Sequence, residues 1–168
     1  MFWSKGLVLA AGKGLGLGMD YHYQKIRSFK DLEVYRASFA ASFVVFRQIL
    51  PKIPNIEIYD LISQLRRSSM AIPRLIAEGY AKKHQKSGFQ KYIDDALAET
   101  NETIVSLEQV KDYYHVEVKI CDDLIIKYDR IARQLFNLAK AWDKFSNRRV
   151  ISKPTPDNQT SCHTQNNT

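Results

Sequence analysis

The chain has 168 residues, a formal net charge of +7 and two cysteines. A chain of this length can bury one hydrophobic core without disulfides or metals, so we expect a single domain. The two cysteines form no CxxC pair, which argues against a disulfide scaffold. No apolar run approaches the ~20 residues that span a bilayer, which argues against a membrane protein. Together these observations favour a soluble, cytoplasmic protein.

Glycine and proline are concentrated outside the central part of the chain. Five of the seven glycines fall within the first eighteen residues, and four of the five prolines lie at positions 51, 54, 154 and 156. The body between them carries long apolar patterns of helical period. These features predict an all-α domain, an antiparallel up-and-down four-helix bundle over residues 28–145, between a flexible extension (residues 1–27) and a disordered tail (residues 146–168).

Residues 1–19 differ from everything that follows. Their apolar segment Leu7–Ala11 is shorter than the ~7–15 residues of a signal-peptide core. The alternating glycines after it fit neither GxGxxG nor the phosphate-binding loop GxxxxGK. We interpret this stretch as a disordered extension, with Met19 as an alternative start of translation.

The first helix is predicted over about residues 30–50, and Ser28 with Asp31 has the pattern of a capping box. Its large side chains recur at helical spacing and are expected in the core: Leu32, Tyr35, Phe39, Phe43, Phe46 and Leu50. The far side is apolar as well, and a helix that is apolar on nearly every side is normally covered on nearly every side. We therefore predict that this far side contacts other copies of the chain, through Val34, Ala37, Ala41, Val44 and Val45.

The second helix is predicted over about residues 56–78. Its core face is Ile58, Ile62, Leu65, Ser69, Ile72 and Ile76. Its opposite face carries Arg67, Ala71, Arg74 and Glu78. Pro73 is expected to kink the helix, and Gly79 is expected to cap its end.

The strongest concentration of basic residues begins in this helix. Residues 66–91 hold seven lysines and arginines against the single acid Glu78. A solvated helix face with ordinary ion pairs is the alternative interpretation, and the segment lacks an aromatic stacking platform. We predict contact with the RNA or DNA backbone through Arg66, Arg67, Arg74, Lys82, Lys83, Lys86 and Lys91.

The third helix is predicted to start at Ser87 and to run to about residue 113, with a middle of small and polar residues that lets a neighbour approach closely. Glu102 lies opposite its core stripe and, with Glu78, is assigned to the contact between copies. The fourth helix has the cleanest periodicity, with alternating steps of four and three. Its seam is Leu124, Tyr128, Ile131, Leu135, Leu138, Trp142 and Phe145.

No pattern indicates catalysis or metal binding. A di-metal bundle needs two Glu-x-x-His pairs, and the chain offers only Asp112-x-x-His115, at a helix end. The four histidines are scattered over termini and loops, so no base is held beside a nucleophile. We predict a protein that is not an enzyme and has no cofactor.

Several of these residues together resemble a known family. The residues that carry the resemblance are the runs FKDLEVY (29–35), QLRR (64–67), IP (72–73) and IAEG (76–79), followed by Phe89, Tyr92, Ile93, Ala96 and Glu102. Through them the chain resembles the four-helix-bundle proteins encoded in intervening sequences of bacterial large-subunit ribosomal RNA genes. The similarity extends to accessory variability proteins of diversity-generating retroelements. It covers residues 29–142. The chain departs from the usual pattern at Ala71, Leu75 and Ala98-Glu99.

The resemblance implies a barrel-like homopentamer and, for the retroelement branch, a nucleic-acid-binding partner of a reverse transcriptase. Our first functional hypothesis is therefore a non-enzymatic oligomer that binds nucleic acid through its basic surface. The alternative hypothesis is a protein-interaction scaffold whose basic surface serves an acidic protein, without direct nucleic-acid binding.

Overall fold

A computed structural model describes residues 26–151, apart from the side chains of Lys86 and of residues 144–151. This part of the chain contains four α-helices and no strand. They are α1 (Glu33–Val44), α2 (Leu61–Ala81), α3 (Lys86–Tyr114) and α4 (Val118–Ile151). Each helix packs on the next and α1 also packs on α4, which confirms the all-α antiparallel four-helix bundle. The rest of the predicted extension and tail, residues 1–25 and 152–168, lies outside the described residues, and α4 continues six residues past the boundary predicted at 145.

The capping box predicted ahead of the first helix is confirmed. The Asp31 carboxylate accepts the Ser28 N–H at 2.8 Å, and the Ser28 hydroxyl accepts the Lys30 N–H at 3.3 Å. This box closes a short 3-10 turn, Phe29–Asp31, and α1 proper begins two residues later. At its other end α1 widens into a π-helical turn, Val45–Ile49, before the first proline ends it.

The predicted facing of α1 is wrong, because the structure exchanges its two sides. Val34, Ala41 and Val45, expected to contact other copies, are 3%, 3% and 0% exposed inside the bundle of a single chain. Ala37 and Val44 beside them are half-buried and pack against the same core. Of the stripe expected in the core, Leu32 is buried and Tyr35 and Leu50 are half-buried against the core, as predicted. Its three phenylalanines face outward, with exposed fractions of 58%, 59% and 43% for Phe39, Phe43 and Phe46.

A steric reason accounts for the exchange. The inner side of α1 also carries Ser38 and Ser42, which are buried and satisfy their hydroxyls by donating to Tyr35 O and Phe39 O within the helix. Alanine and serine side chains let the helix axis approach its neighbours, whereas three phenylalanine rings would hold it away. The interface assignment of Val34, Ala41 and Val45 is therefore corrected, that of the half-buried Ala37 and Val44 stays a prediction, and the outward face of α1 carries the three phenylalanines.

Helix α2 runs without interruption through the buried Pro73. Its predicted core residues Leu65, Ser69, Ile72 and Ile76 are buried, as expected. The core assignment of Ile58 is wrong, because this residue lies before α2 and is 50% exposed. The prediction that Gly79 caps the helix is wrong, because α2 continues to Ala81. A Cβ on Gly79 would lie 3.0 Å from Cβ of Tyr92, so the missing side chain lets α2 and α3 pack closely here.

The centre of α3 is lined by small polar residues, as predicted. Thr103 lies with its hydroxyl 3.0 Å from that of Ser68 on α2, and both side chains are fully buried. The start of α3 is two residues earlier than the Ser87 cap predicted, since Gln85 occupies the N-cap position.

The seam of α4 is confirmed from Leu124 to Leu138, and Trp142 beyond it stacks on Phe89 at 4.1 Å between ring centroids. Helices α3 and α4 are joined by a tight turn in which His115 and Glu117 adopt left-handed backbone angles. None of the helices within residues 26–151 is long and apolar enough to cross a membrane.

Candidate nucleic-acid interface

The connection between α2 and α3 is a basic segment. From Gly79 to Lys91 the sequence contains four lysines and no acidic residue. Lys82 ends α2, and its backbone N–H donates to Glu78 O and Gly79 O. The side chains of Lys82 and Lys91 are exposed, and the Lys83 ammonium lies 4.0 Å from the centroid of the Tyr80 ring.

The predicted binding residues do not form one patch. Lys82, Lys83, Lys86 and Lys91 come together where α2 gives way to α3, and Arg74 lies two turns back along α2. Arg66 is sixteen residues before Lys82, which places it about 24 Å away along the helix axis.

The two adjacent arginines of α2 also diverge around the helix. The Arg66 guanidinium lies 5.5 Å from the centroid of Phe46, on the α1 side. Arg67 lies instead on the α3 side, 4.0 Å from Glu102. The predicted binding surface, defined by the sequence range 66–91, therefore combines residues that lie on different surfaces of the bundle.

Other basic residues, missed by the sequence analysis, belong to segments at the same end of the bundle as the α2–α3 connection. The stacking of Trp142 on Phe89 brings the C-terminal part of α4 to this end of the bundle. The 3.1 Å hydrogen bond from Gln134 to Glu33 brings the start of α1 towards it. We call this end, made of residues 26–36, 74–95 and 137–151, the basic end; its segments hold twelve lysines and arginines against six acids.

The middle of the α2–α3 face carries mixed charge. Glu99 and Glu102 are half-buried, and one carboxylate oxygen of each is shielded from solvent without a hydrogen-bond partner in the described part of the chain. Burial raises the pKa of Glu99, the neighbouring Glu102 raises it further, and Arg67 and Arg74 oppose both effects. Because these carboxylates balance the two arginines, this stretch is a poorer platform for phosphates than the basic end. Glu78, the other predicted contact residue, is exposed.

The outward face of α1 is the second notable surface. Phe39, Phe43 and Phe46 follow one another at steps of four and three, so they form one strip along the helix. The Arg47 guanidinium lies 5.8 Å from the Phe43 centroid, and Arg66 covers Phe46 in the same way. We call these three rings the aromatic strip.

Little in the described part of the chain is arranged for covalent chemistry. No group of three histidine, cysteine, aspartate or glutamate side chains is placed to hold a metal ion among the residues described. Cys121 is buried, its thiol donates to Val116 O at 3.3 Å, and burial raises its pKa to about 11. The thiol is therefore protonated at neutral pH and is a poor nucleophile.

The fold and this surface define a small all-helical bundle with a concentrated positive charge at one end. A family model described as 23S rRNA-intervening sequence protein matches residues 30–137, which reach from the capped turn before α1 far into α4. The chain belongs to this family. A search of curated proteins finds no match.

Proposed function

We propose that this protein is a non-enzymatic, oligomeric helical bundle that binds the backbone of RNA or DNA through its basic end. The observation that carries the proposal is the acid-free stretch 79–91 with its four lysines, at the end of the bundle where α1 begins. A surface of this kind neutralises phosphates and releases their counterions on binding. The protonated, buried Cys121 thiol and the scattered histidines support a role without catalysis.

The side chains around the basic end favour backbone contact over reading of bases. The aromatic ring next to its lysines, Tyr80, is half-buried and has the Lys83 ammonium over its face, 4.0 Å from the ring centroid. A ring in such a contact is less available to stack on a base. Sequence-tolerant binding of single strands often depends on this stacking. We therefore expect affinity that depends on salt much more than on sequence.

Assembly would multiply this charge. The aromatic strip exposes three large rings on one helix face, and exposed apolar clusters of this kind commonly mark protein contacts. We propose that copies associate through the aromatic strip rather than through the buried side of α1. Several basic ends held in one particle would bind a single nucleic acid with avidity. Five copies is the number implied by the family resemblance.

A charge-reversal variant with a matched control tests the nucleic-acid proposal. Lys82→Glu, Lys83→Glu and Lys86→Glu together are expected to weaken binding to labelled single-stranded RNA, measured by fluorescence anisotropy, by at least tenfold. The control carries Lys119→Glu, Lys127→Glu and Arg130→Glu, which change the net charge equally on α4. Equal affinities of the two variants would remove the basic end as the binding surface.

A protein-interaction scaffold is the second candidate. It is favoured by Arg66 and Arg67, which lie outside the basic end beside Phe46 and Glu102, in surroundings suited to a protein surface. A partner that stays bound after nuclease treatment would support it. The retroelement resemblance adds a reverse transcriptase as a proposed partner, and a reverse transcriptase gene beside this one would favour that branch.

A further inference from the structure

The end of the bundle opposite the basic end exposes large apolar side chains. The α1–α2 connection presents Ile56 and Tyr59 at 85% and 94% exposure, and Tyr113 at the end of α3 is 70% exposed. Ile58 and Val118 add exposed apolar surface in the same two segments. We call this surface, carried by residues 53–60 and 112–118, the tyrosine end.

Two polar contacts hold the tyrosine end together. The Tyr114 hydroxyl donates to the Glu57 carboxylate, and Lys52 forms an ion pair with Glu117. Glu57 lies between Ile56 and Ile58 in sequence, so its bond to α3 fixes the connection beside the α3–α4 turn. The exposed side chains are therefore displayed from an anchored segment.

The charge around the tyrosine end is opposite to that of the rest of the chain. Residues 51–64 and 108–127 hold seven acids against four lysines, a net charge of −3 in a chain of net charge +7. Two of those lysines, Lys52 and Lys111, are already paired with Glu117 and Asp122. A phosphate backbone or an anionic lipid surface would be repelled here.

We propose that the tyrosine end docks a Lys/Arg-rich polypeptide segment that carries large apolar side chains. Apolar side chains of the segment would pack on Ile56 and Tyr59, while its cations would face Asp60, Asp123 and the faces of the exposed tyrosines. Tyrosine is enriched at the energetic centres of protein interfaces and attracts cations to its ring face. This inference does not rest on nucleic-acid binding; with it, the bundle would join a nucleic acid at one end to a basic protein at the other.

A defined peptide tests the proposal with the full chain. The probe is a fluorescein-labelled peptide of alternating lysine and leucine, with lysine–serine and glutamate–leucine peptides as controls. We expect binding of the first peptide, followed by anisotropy, and at least tenfold weaker binding of both controls. No binding of the lysine–leucine peptide would overturn the proposal.

Paired variants locate the binding. Ile56→Ser with Tyr59→Ser should raise the dissociation constant about tenfold, the size typical of a lost interface anchor. Its matched control is Val105→Ser with Phe136→Ser, which removes two exposed apolar side chains elsewhere on the bundle and should change the constant less than twofold. Far-UV circular dichroism verifies that each variant is folded, and equal weakening by both pairs would overturn the proposal.

Charge-reversal variants test the role of the acidic residues in peptide binding in the same way. Asp60→Lys with Asp123→Lys should weaken peptide binding about tenfold, whereas Glu78→Lys with Asp143→Lys, an equal change at the basic end, should not. Sedimentation of the protein without peptide shows whether a second copy of the chain binds at the tyrosine end. If Ile56→Ser with Tyr59→Ser reduces the size of the assembly, this end is a contact between copies and the proposal falls.

Discussion

The orientation of α1 can be tested by comparing one inward and one outward side chain. Ile49→Ala removes a side chain that is 0% exposed in the π-helical turn, and Phe43→Ala removes a ring that is 59% exposed. Truncating a fully buried isoleucine typically costs about 2–5 kcal/mol, because the transfer free energy is lost and a cavity remains. For Phe43, which is about two fifths buried, we expect a loss of about 0.6–1.2 kcal/mol, since full burial of such a ring contributes about 1.5–3 kcal/mol.

Urea unfolding followed by far-UV circular dichroism measures both values. The comparison is made over a series of protein concentrations, because loss of assembly through the aromatic strip would make the Phe43→Ala effect depend on concentration. The Ile49→Ala effect should not depend on it. A larger, concentration-independent loss for Phe43→Ala would refute the orientation of α1 and restore the facing that the sequence first suggested.

Three further predictions concern the helix crossing, the half-buried carboxylate and the thiol. Gly79→Ala should lower the unfolding free energy by about 1 kcal/mol, because overpacking against Tyr92 outweighs the better helix propensity of alanine; higher stability would contradict the close crossing. Glu99→Gln should raise the melting temperature at pH 8 but hardly at pH 4. A raised folded-state pKa makes little difference while the carboxyl is protonated in both states; its destabilising effect grows as pH rises from the unfolded-state pKa to the folded-state pKa and is complete above it. A greater gain at pH 4 would contradict this. Cys121 should resist iodoacetamide in native buffer at pH 8 and react after unfolding, as judged by peptide mass spectrometry, and rapid native alkylation would contradict its burial.

The sequence predicted the elements whose pattern is unambiguous. The α4 seam alternates steps of four and three, and its members from Leu124 to Leu138 are buried as expected. The capping box of Ser28 and Asp31 depends on only a few neighbouring residues, so it could be recognised without any knowledge of the fold.

The facing of α1 could not be obtained in this way. Its two apolar stripes have the same helical period, and large rings were preferred for the core on grounds of hydrophobicity. The bundle instead buries the stripe with Ser38, Ala41 and Ser42, because close packing depends on side-chain size as well as polarity. Gly79 was misread for a similar reason, since only the position of Tyr92 on the neighbouring helix reveals why a Cβ is excluded.

The candidate interface was predicted only in part. Its centre, the α2–α3 connection, is local in sequence and was recognised from the run of lysines. Arg66 and Arg67 were assigned to the same interface because they are close in sequence, although they lie nearer the start of α2 and face other surfaces. The contributions from the start of α1 and the end of α4 depend on the topology of the bundle, which no sequence window contains.

The salt dependence of RNA binding tests the central claim most directly. For a single-stranded RNA, the slope of log K against log salt concentration changes by about 0.7 for each phosphate contact. We predict that the variant carrying Lys82→Glu, Lys83→Glu and Lys86→Glu has a slope shallower by about 2 than the unmodified protein, as three lost contacts require. A slope unchanged by these substitutions would contradict binding at the basic end.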